Sequence, residues 1–567
     1  MEFQEFKDSI IEYLKQEKEY CEADIENNKH LSNSEKEEKG LLIQFAKIVE
    51  QQGCEYKFSV PINNTKLRPG DKVIIRNQNT KKCFKATIVE NDFEYIYLTI
   101  PFDLPHEDDY DIEIEEFVLL DPLISLAENV ADGAPGAFLF KQLAGIAEPI
   151  EEGLGRIPID RVNTFPETLN NAQYEVCSKS LNRPSIYCIQ GPPGTGKTDV
   201  LATIAHTFSN QKKEVLIISN THQAVNNALN KICKRAPELT IVKIGEELKA
   251  QELDDRIILA KCYKDYIEER KATKKNKSLY ADIVGMTYYG GILNLGLRNS
   301  GFKPSIILVD EAGQMPLAEA SLIGTFGSGS IIFIGDDKQM PPISHEKLQD
   351  HHFSTSIFSF LCVKYPQIKG RLSVTYRMNE EITQCVSRNF YEVDGEHLIA
   401  SDFSKSRFHS IPSSCNDERI KHLLSDKKSI HQLDVTTTNL WEDINIEEAD
   451  FIANLVDDAI KNGMNKNDIA IITPYRRQVK AIRSSLNKLD IGTLPLIDTV
   501  ERLQGQDVDM IIISFCVASP TYFQANKSFL LNPNRLNVMI SRAKKKVVLL
   551  ASDVVKKELL KQYLIEI

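Results

Sequence analysis

No Cys-x-x-Cys pair occurs among the eleven cysteines, which are scattered along the chain, so neither a zinc cluster nor a disulfide framework is indicated and reduced thiols are expected. No apolar run approaches the ~18 residues of a membrane-crossing helix. The N-terminal stretch MEFQEFKDS is acidic and lacks the apolar core of a secretion signal, so a cytoplasmic location is expected. Positive charge is scarce: 68 Lys and Arg stand against 80 Asp and Glu, a formal net charge of −12. That sum does not advertise a nucleic-acid partner, yet it excludes none, because affinity follows where bases cluster. Internal repeats and low-complexity tracts are missing as well. What remains is 567 residues that are 42% apolar and 26% charged, a globular composition in a chain long enough for about three or four domains.

The chain is organised around CIQGPPGTGKT, residues 188–198. An apolar run gives way to a loop of Gly191, Pro192, Pro193, Gly194, Thr195 and Gly196, and then to Lys197, Thr198 and a helical apolar pattern. Strand, glycine loop and helix N-terminus in that order make a phosphate cradle of backbone N–H groups. Lys197 is expected to reach the β- and γ-phosphates of ATP, and the Thr198 hydroxyl to ligate Mg²⁺. Hydrolysis also needs a carboxylate for the cation and a base for water. IILVDEAGQ supplies both, with Asp310 expected on Mg²⁺ and Glu311 on the attacking water. IIFIGDDKQMPP adds Gln339 as a polar sensor.

Around these motifs strands alternate with helices, which implies a mainly parallel sheet: EVLIIS, TIVKI, ADIVGMT, IILVDE and IIFIGD over residues 161–345. A Lys- and Glu-rich helical insertion is expected at about 246–280. A second set, IHQLDV, DIAIITPY, PLIDTV, VDMIIISF and VVLLAS, falls within 346–567, so two α/β domains are expected with a cleft between them. Ahead of them, residues 1–56 read as two charged helices, the second carried by Leu41, Leu42, Phe45, Ala46, Ile48 and Val49. Residues 57–120 read as a small β-barrel and residues 121–160 as return helices. The barrel's first half is basic (Lys66, Arg68, Lys72, Arg76, Lys81, Lys82, Lys85), with Phe84, Phe93, Tyr95 and Tyr97 interleaved. Cations beside aromatic faces suit a single strand, and Lys81, Lys82 and Lys85 are expected to touch it.

QGPPGTGKT, VDEAGQ, GDDKQMPP, TYRMNEEI, TPYRRQ, LQGQDVD and RLNVMISRAK, in that order, resemble the motifs of superfamily 1 helicases, in the branch that includes the nonsense-mediated-decay and immunoglobulin mu-binding helicases. The resemblance covers about residues 160–560. It implies two tandem RecA-like P-loop domains carrying an N-terminal helical stalk, a small barrel and a helical insertion. It also implies an ATP- and Mg²⁺-dependent ATPase that moves 5′→3′ along single-stranded DNA or RNA and unwinds duplex or strips protein. The rival reading is a nucleic-acid-gated ATPase switch or assembly subunit, with protein partners on the barrel or stalk, that clamps without travelling.

Position by position, the resemblance makes Gln173 an adenine reader and Tyr376 its stacking partner. Arg377 and Arg542 become fingers on the γ-phosphate, and Asp507, where the family has glutamate, lies near the ribose, with Gln504 and Gly505 before it. Thr221, His222, Ala224, Val225, Asn226 and Thr287 match strand-backbone contacts in the first domain, and Thr473, Pro474, Tyr475 and Thr499 match those in the second. Thr375, Leu503 and Ser541 depart from the usual glutamine, phenylalanine and threonine. Asn445 and Glu448 fit an N-x-x-E-A pattern whose role the sequence leaves open.

Overall fold

The structure, a computed structural model, describes residues 2–563 apart from 62, 66, 93, 135, 152–164, 251, 273–279, 294–301, 328, 409, 414, 436–441, 490, 492–493 and 501–506. Lys66, Phe93, Leu503, Gln504, Gly505 and part of the expected insertion therefore lie outside the described residues.

Strands β1 (Leu42–Gln52), β2 (Glu55–Ser59), β3 (Lys72–Asn77), β4 (Cys83–Asp92), β5 (Tyr95–Thr99) and β6 (Asp109–Ile114) close an antiparallel barrel in the order β1-β2-β5-β4-β3-β6. Tyr56, Phe58, Ile75, Ile88, Leu98, Tyr110 and Ile112 fill it. β1 corrects the expected second helix. Leu42, Ile43, Ala46 and Ile48 are buried, a spacing that imitates a helical face. The imitation comes from a bulge: Phe45 takes φ 57° and is half exposed, and the pairing of β1 with β6 slips between Ile43 and Ala46. One extra residue in a strand turns a period of two into a mixture of two and three.

The first α/β sheet runs β10-β9-β11-β8-β12-β13-β7-β14, every pair parallel. Its strands are β7 (Ile186–Gln190), β8 (Val215–Ser219), β9 (Ile241–Ile244), β10 (Ile258–Ala260), β11 (Ile283–Thr287), β12 (Ile306–Val309), β13 (Ile331–Gly335) and β14 (Lys369–Arg371). Ile186 and Cys188 enter one core while Tyr187 and Ile189 enter the other, as a sheet covered on both faces requires. Two boundaries shift. β14 and the buried residues Phe353, Ile357, Phe358, Leu361 and Ile368 belong to this first unit, so it extends past residue 345. Within the expected helical insertion, β10 extends the sheet before the helix Tyr263–Ala272 begins.

A short pair, β15 (Val374–Thr375) with β16 (Ile399–Ala400), leads into the second sheet. That sheet has β17 (Ile430–Leu433), β18 (Ile469–Ile472), β19 (Leu496–Asp498), β20 (Val508–Ser514) and β21 (Ala543–Leu550), all parallel in the order β17-β21-β20-β18-β19. Ile471 and Ile472 point into opposite cores.

The N-terminal helix Phe3–Lys29 buries Phe6, Ile10, Tyr13, Leu14 and Glu17 at helical spacing. It lies on the first unit: the rings of Phe6 and Phe353 meet edge to face at 5.4 Å, and Tyr20 stacks on His345 at 5.2 Å. No helix among the described residues is long and apolar enough to cross a membrane.

Candidate functional site

A cleft of 1380 Å³ opens where the two sheets face each other. On one wall β7 ends at Gln190, the loop 191–196 follows, and the helix Lys197–Asn210 begins without a side-chain cap, so its first N–H groups face the cleft as an anion site. Gly194 and Gly196 hold φ 72° and 83°, where a side chain would be strained. Gly194 has a second constraint: a Cβ there would stand 2.4 Å from the Cβ of Arg377. Thr195 Oγ1 donates to Pro192 O at 2.7 Å, and Lys197 Nζ lies over the loop, donating to Gly191 O at 2.6 Å. From the opposite wall Thr375 Oγ1 donates to Pro193 O at 2.9 Å and Tyr376 N to Gly194 O at 2.8 Å. Gln173 completes a capping box with Asn170 and donates to Thr195 O at 3.0 Å. Asn170 in turn reaches the Tyr376 hydroxyl at 2.9 Å, so the expected adenine reader and stacking ring flank one mouth of the loop.

Beyond the loop, Asp310 and Glu311 follow β12. Burial, with Glu311 adjacent, pushes the Asp310 carboxyl up to about 7, against the pull of Lys197. Glu311 sits at φ 53° and turns its side chain toward Gln314 and the cleft, with Gln314 Nε2 3.4 Å from its Oε2. Gln339, also on the cleft, donates to the buried Asp336 at 2.6 Å.

The two expected arginines arrive from the second unit. Arg377 precedes Met378, which is buried in that unit's core, and Arg542 ends the helix Pro533–Ser541 just before β21. Both face Asp507, Arg377 at 2.6 Å and Arg542 at 4.0 Å. Burial, then the neighbouring Arg377, lowers Arg542 to about 10. Asp507, expected at a ribose, therefore serves here as the counter-ion that holds both guanidinium groups in the cleft.

The expected strand path divides. Thr221, His222 and Ala224 line the same cleft, with Thr221 capping the helix His222–Arg235 through the N–H of Ala224. Burial, then Lys243 and Lys249, push His222 down to about 4, so its ring is neutral beside these lysines near neutral pH. By contrast the side chains of Val225 and Thr473 are fully buried, so neither side chain is available to a strand. Asn226, Thr287 and Thr499 are also buried: Asn226 donates to Lys249 O at 3.3 Å, and Thr287 accepts from Gly290 N at 3.2 Å. Pro474 and Tyr475 are half-buried, the Tyr475 ring packing near Tyr522 and Phe529.

The barrel lysines are the largest departure. Lys81 and Lys82 sit at the tip of the β3–β4 hairpin, while the cleft is met by the opposite end, at Leu67, Arg68, Pro69, Glu90 and Asn91. Lys85 pairs with Glu115 at 2.5 Å, Arg76 with Glu113 at 3.9 Å and Lys47 with Asp109 at 3.6 Å. Within the basic stretch 66–85, Arg76 is thus met by Glu113 of β6, which pairs with β3, and Lys85 by Glu115 just past the end of β6.

Two sequence families, each described as an AAA domain, match residues 168–283 and 353–554. A DNA replication ATP-dependent helicase/nuclease of Arabidopsis thaliana, JHS1, is 27% identical over 68% of this chain and 28% of its own length. An uncharacterized ATP-dependent helicase of Methanocaldococcus jannaschii is 23% identical over 94% of this chain and 91% of its own. The ATP-dependent helicase NAM7 of Saccharomyces cerevisiae is 26% identical over 70% and 43%. The chain belongs to helicase superfamily 1, in the branch that includes NAM7. It spans 28% of the length of JHS1 and of the Schizosaccharomyces pombe protein dna2.

This superfamily 1 chain carries two polar networks that sequence reasoning missed. In the first, Tyr391 donates to Asp336 Oδ2 at 2.6 Å, and Asn537 donates to the Tyr391 hydroxyl at 3.0 Å and to Lys338 O at 2.7 Å. It joins the turn after β13 to the helix that delivers Arg542. Only the GDxxQ motif hinted at it, and Tyr391 carries no motif at all. In the second, Asn445 caps the helix Ile446–Lys461 through Glu448 N, and it exchanges hydrogen bonds with Gln478, whose Nε2 also reaches Ser514 Oγ at 3.1 Å. The N-x-x-E pattern is thus a buried brace beneath the turn after β18.

Proposed function

We propose that the chain is an ATP-dependent 5′→3′ translocase on single-stranded nucleic acid, using two RecA-like units to unwind duplex or displace protein. The observation that carries this is the convergence, in one cleft, of a phosphate loop from the first sheet and of Arg377 and Arg542 from the second. Lys197 would leave Gly191 O for the β- and γ-phosphates, Gln173 and Tyr376 would hold the base, and Glu311 would take the proton of the attacking water. Thr198 and Asp310 would hold Mg²⁺. The raised Asp310 carboxyl fits a cation there, which would neutralise charge between the β- and γ-phosphates. Transfer of the two guanidinium groups from Asp507 to the γ-phosphate would couple hydrolysis to closure of the units, and reopening would shift their grip on the strand.

Thr221, His222, Ala224 and Arg68 line the same cleft, which supports a strand path along this wall rather than along the β3–β4 tip. The test is ATP-driven strand displacement on matched DNA and RNA duplexes carrying a 5′ or a 3′ overhang. Displacement from 5′ overhangs only is the expected result. ATP turnover stimulated by the strand with no displacement of strand or bound protein would replace the translocase with a clamp.

A further inference from the structure

On the far side of the second unit, away from the nucleotide cleft, His422, Asp426 and His431 meet in a depression of 400 Å³ that the function above does not use. We propose that these three side chains form a zinc site.

The geometry follows from the local sequence. His422 and Asp426 stand one helical turn apart at the end of the helix Glu418–Ser425, with Asp426 as its C-cap, so their side chains emerge on one face. His431 is the second residue of β17, the edge strand of the sheet, and is 7% exposed. Potential ligand atoms of the three all lie within 4.8 Å of one another. Around a tetrahedral zinc with bonds of ~2.0 Å, ligands stand about 3.3 Å apart. The gap is closed by a rotation of His422, whose side chain is 72% exposed.

Each of the two less mobile ligands is already oriented by a backbone partner, as ligating groups usually are. His431 Nε2 donates to Lys428 O at 2.9 Å, which leaves the ring's lone pair on Nδ1. Asp426 Oδ1 accepts from Lys428 N at 3.2 Å, which leaves Oδ2 toward His422 at 3.8 Å. Two imidazoles and one carboxylate are a borderline donor set that suits zinc rather than magnesium or calcium. Glu418, one turn before His422 on the same helix, also lines the depression.

Three cations stand near. Arg419 is engaged by Asp417 at 2.7 Å, and Lys546, on β21, is tethered to Leu423 O and Asp426 O at 2.7 Å each. Lys428 also lines the depression. Zinc here would clip the last turn of the helix onto the edge strand.

The test is calorimetric titration of the metal-free full chain with Zn²⁺, alongside Co²⁺ absorption, for the wild type and for His422→Asn, an exposed change that spares the fold. The expected result is saturable 1:1 binding that raises the melting temperature, weakened at least tenfold in His422→Asn with loss of the Co²⁺ ligand-field bands, while ATP affinity is unchanged. Absence of saturable binding, or equal binding by wild type and His422→Asn, would overturn the proposal.

Discussion

Between Gln190 and Lys197 six residues, three of them glycine, carry the chain from β7 into a helix; between Ile472 and Arg476 only Thr473, Pro474 and Tyr475 do so. The two turns occupy corresponding places in two parallel sheets. In the first, left-handed Gly194 and Gly196 curl the backbone into a loop that lines the cleft, with the Lys197 side chain folded over it. In the second, Thr473 N bonds to Asp498 O at 3.3 Å and Tyr475 packs near Tyr522 and Phe529, so the turn is filled by its own side chains. A strand–turn–helix unit binds phosphate only when glycine permits that curl. The second unit therefore contributes side chains, Arg377 and Arg542, and these depend on how the two units meet.

The largest blow to the first turn's chemistry is Glu311→Gln. Turnover should fall by about 10³, within the usual range for loss of a general base, while nucleotide affinity stays within about threefold. Steady-state ATPase rates with parallel nucleotide binding decide it, and a rate near wild type would remove Glu311 as the base.

Tyr391→Phe tests the link between the two turns. It deletes a hydroxyl that donates to Asp336 and accepts from Asn537. Turnover should drop about tenfold with KM for ATP little changed, because leaving a buried partner such as Asp336 or Asn537 unsatisfied costs roughly 1–3 kcal/mol. An equal change in KM and kcat would mean that the network only supports the nucleotide pocket.

Glu448→Gln probes the brace under the second turn. Burial, reinforced by Asp434, raises the Glu448 carboxyl to about 8, against hydrogen bonds from Ser514 and Cys516 N. Because the folded value lies above the ordinary one, its contribution to stability is complete below about pH 4.5 and is lost as pH rises through about 8. The wild type should therefore lose about 2–4 °C of melting temperature more than Glu448→Gln between pH 5 and 8.5. Parallel melting curves across that range would remove Glu448 as the titrating group.

The smallest effect expected is that of Lys81 and Lys82, both changed to Ala. These residues lie away from the cleft end of the barrel, so strand affinity across a salt series should change less than about twofold, whereas Arg68→Ala should flatten the salt slope by about one contact. The reverse ranking would put the strand across the hairpin tip.

The geometry of the first turn was legible because it is local: the strand, the left-handed Gly194 and Gly196 and the helix that starts at Lys197 all fall within a dozen residues, and the role proposed for Gly191, Lys197 and Thr198 needs no distant partner. Both parallel sheets were legible for a similar reason, since doubly covered strands read as Ile and Val runs. What escaped was set by partners distant in sequence. The bulge at Phe45 made a strand look helical. The carboxylates that meet Arg76 and Lys85 of the basic stretch, Glu113 and Glu115, lie some thirty residues further along the chain. Val225 and Thr473 looked like strand contacts because motif position says nothing of which way a side chain faces. Tyr391, Asn537 and the partners of Glu448 meet only through tertiary packing, and no spacing announces them.

The central claim is that one nucleotide site is shared by both units, with the backbone of one and the arginines of the other. Its most direct test is single-turnover hydrolysis of bound ATP by Arg377→Ala and Arg542→Ala, with nucleotide affinity and melting temperature measured on the same preparations. The account predicts that each variant binds ATP within about threefold of wild type and hydrolyses it at least ~10²-fold more slowly, because the guanidinium groups meet charge that develops during reaction. A folded Arg542→Ala protein that turns over bound ATP at the wild-type rate would contradict it.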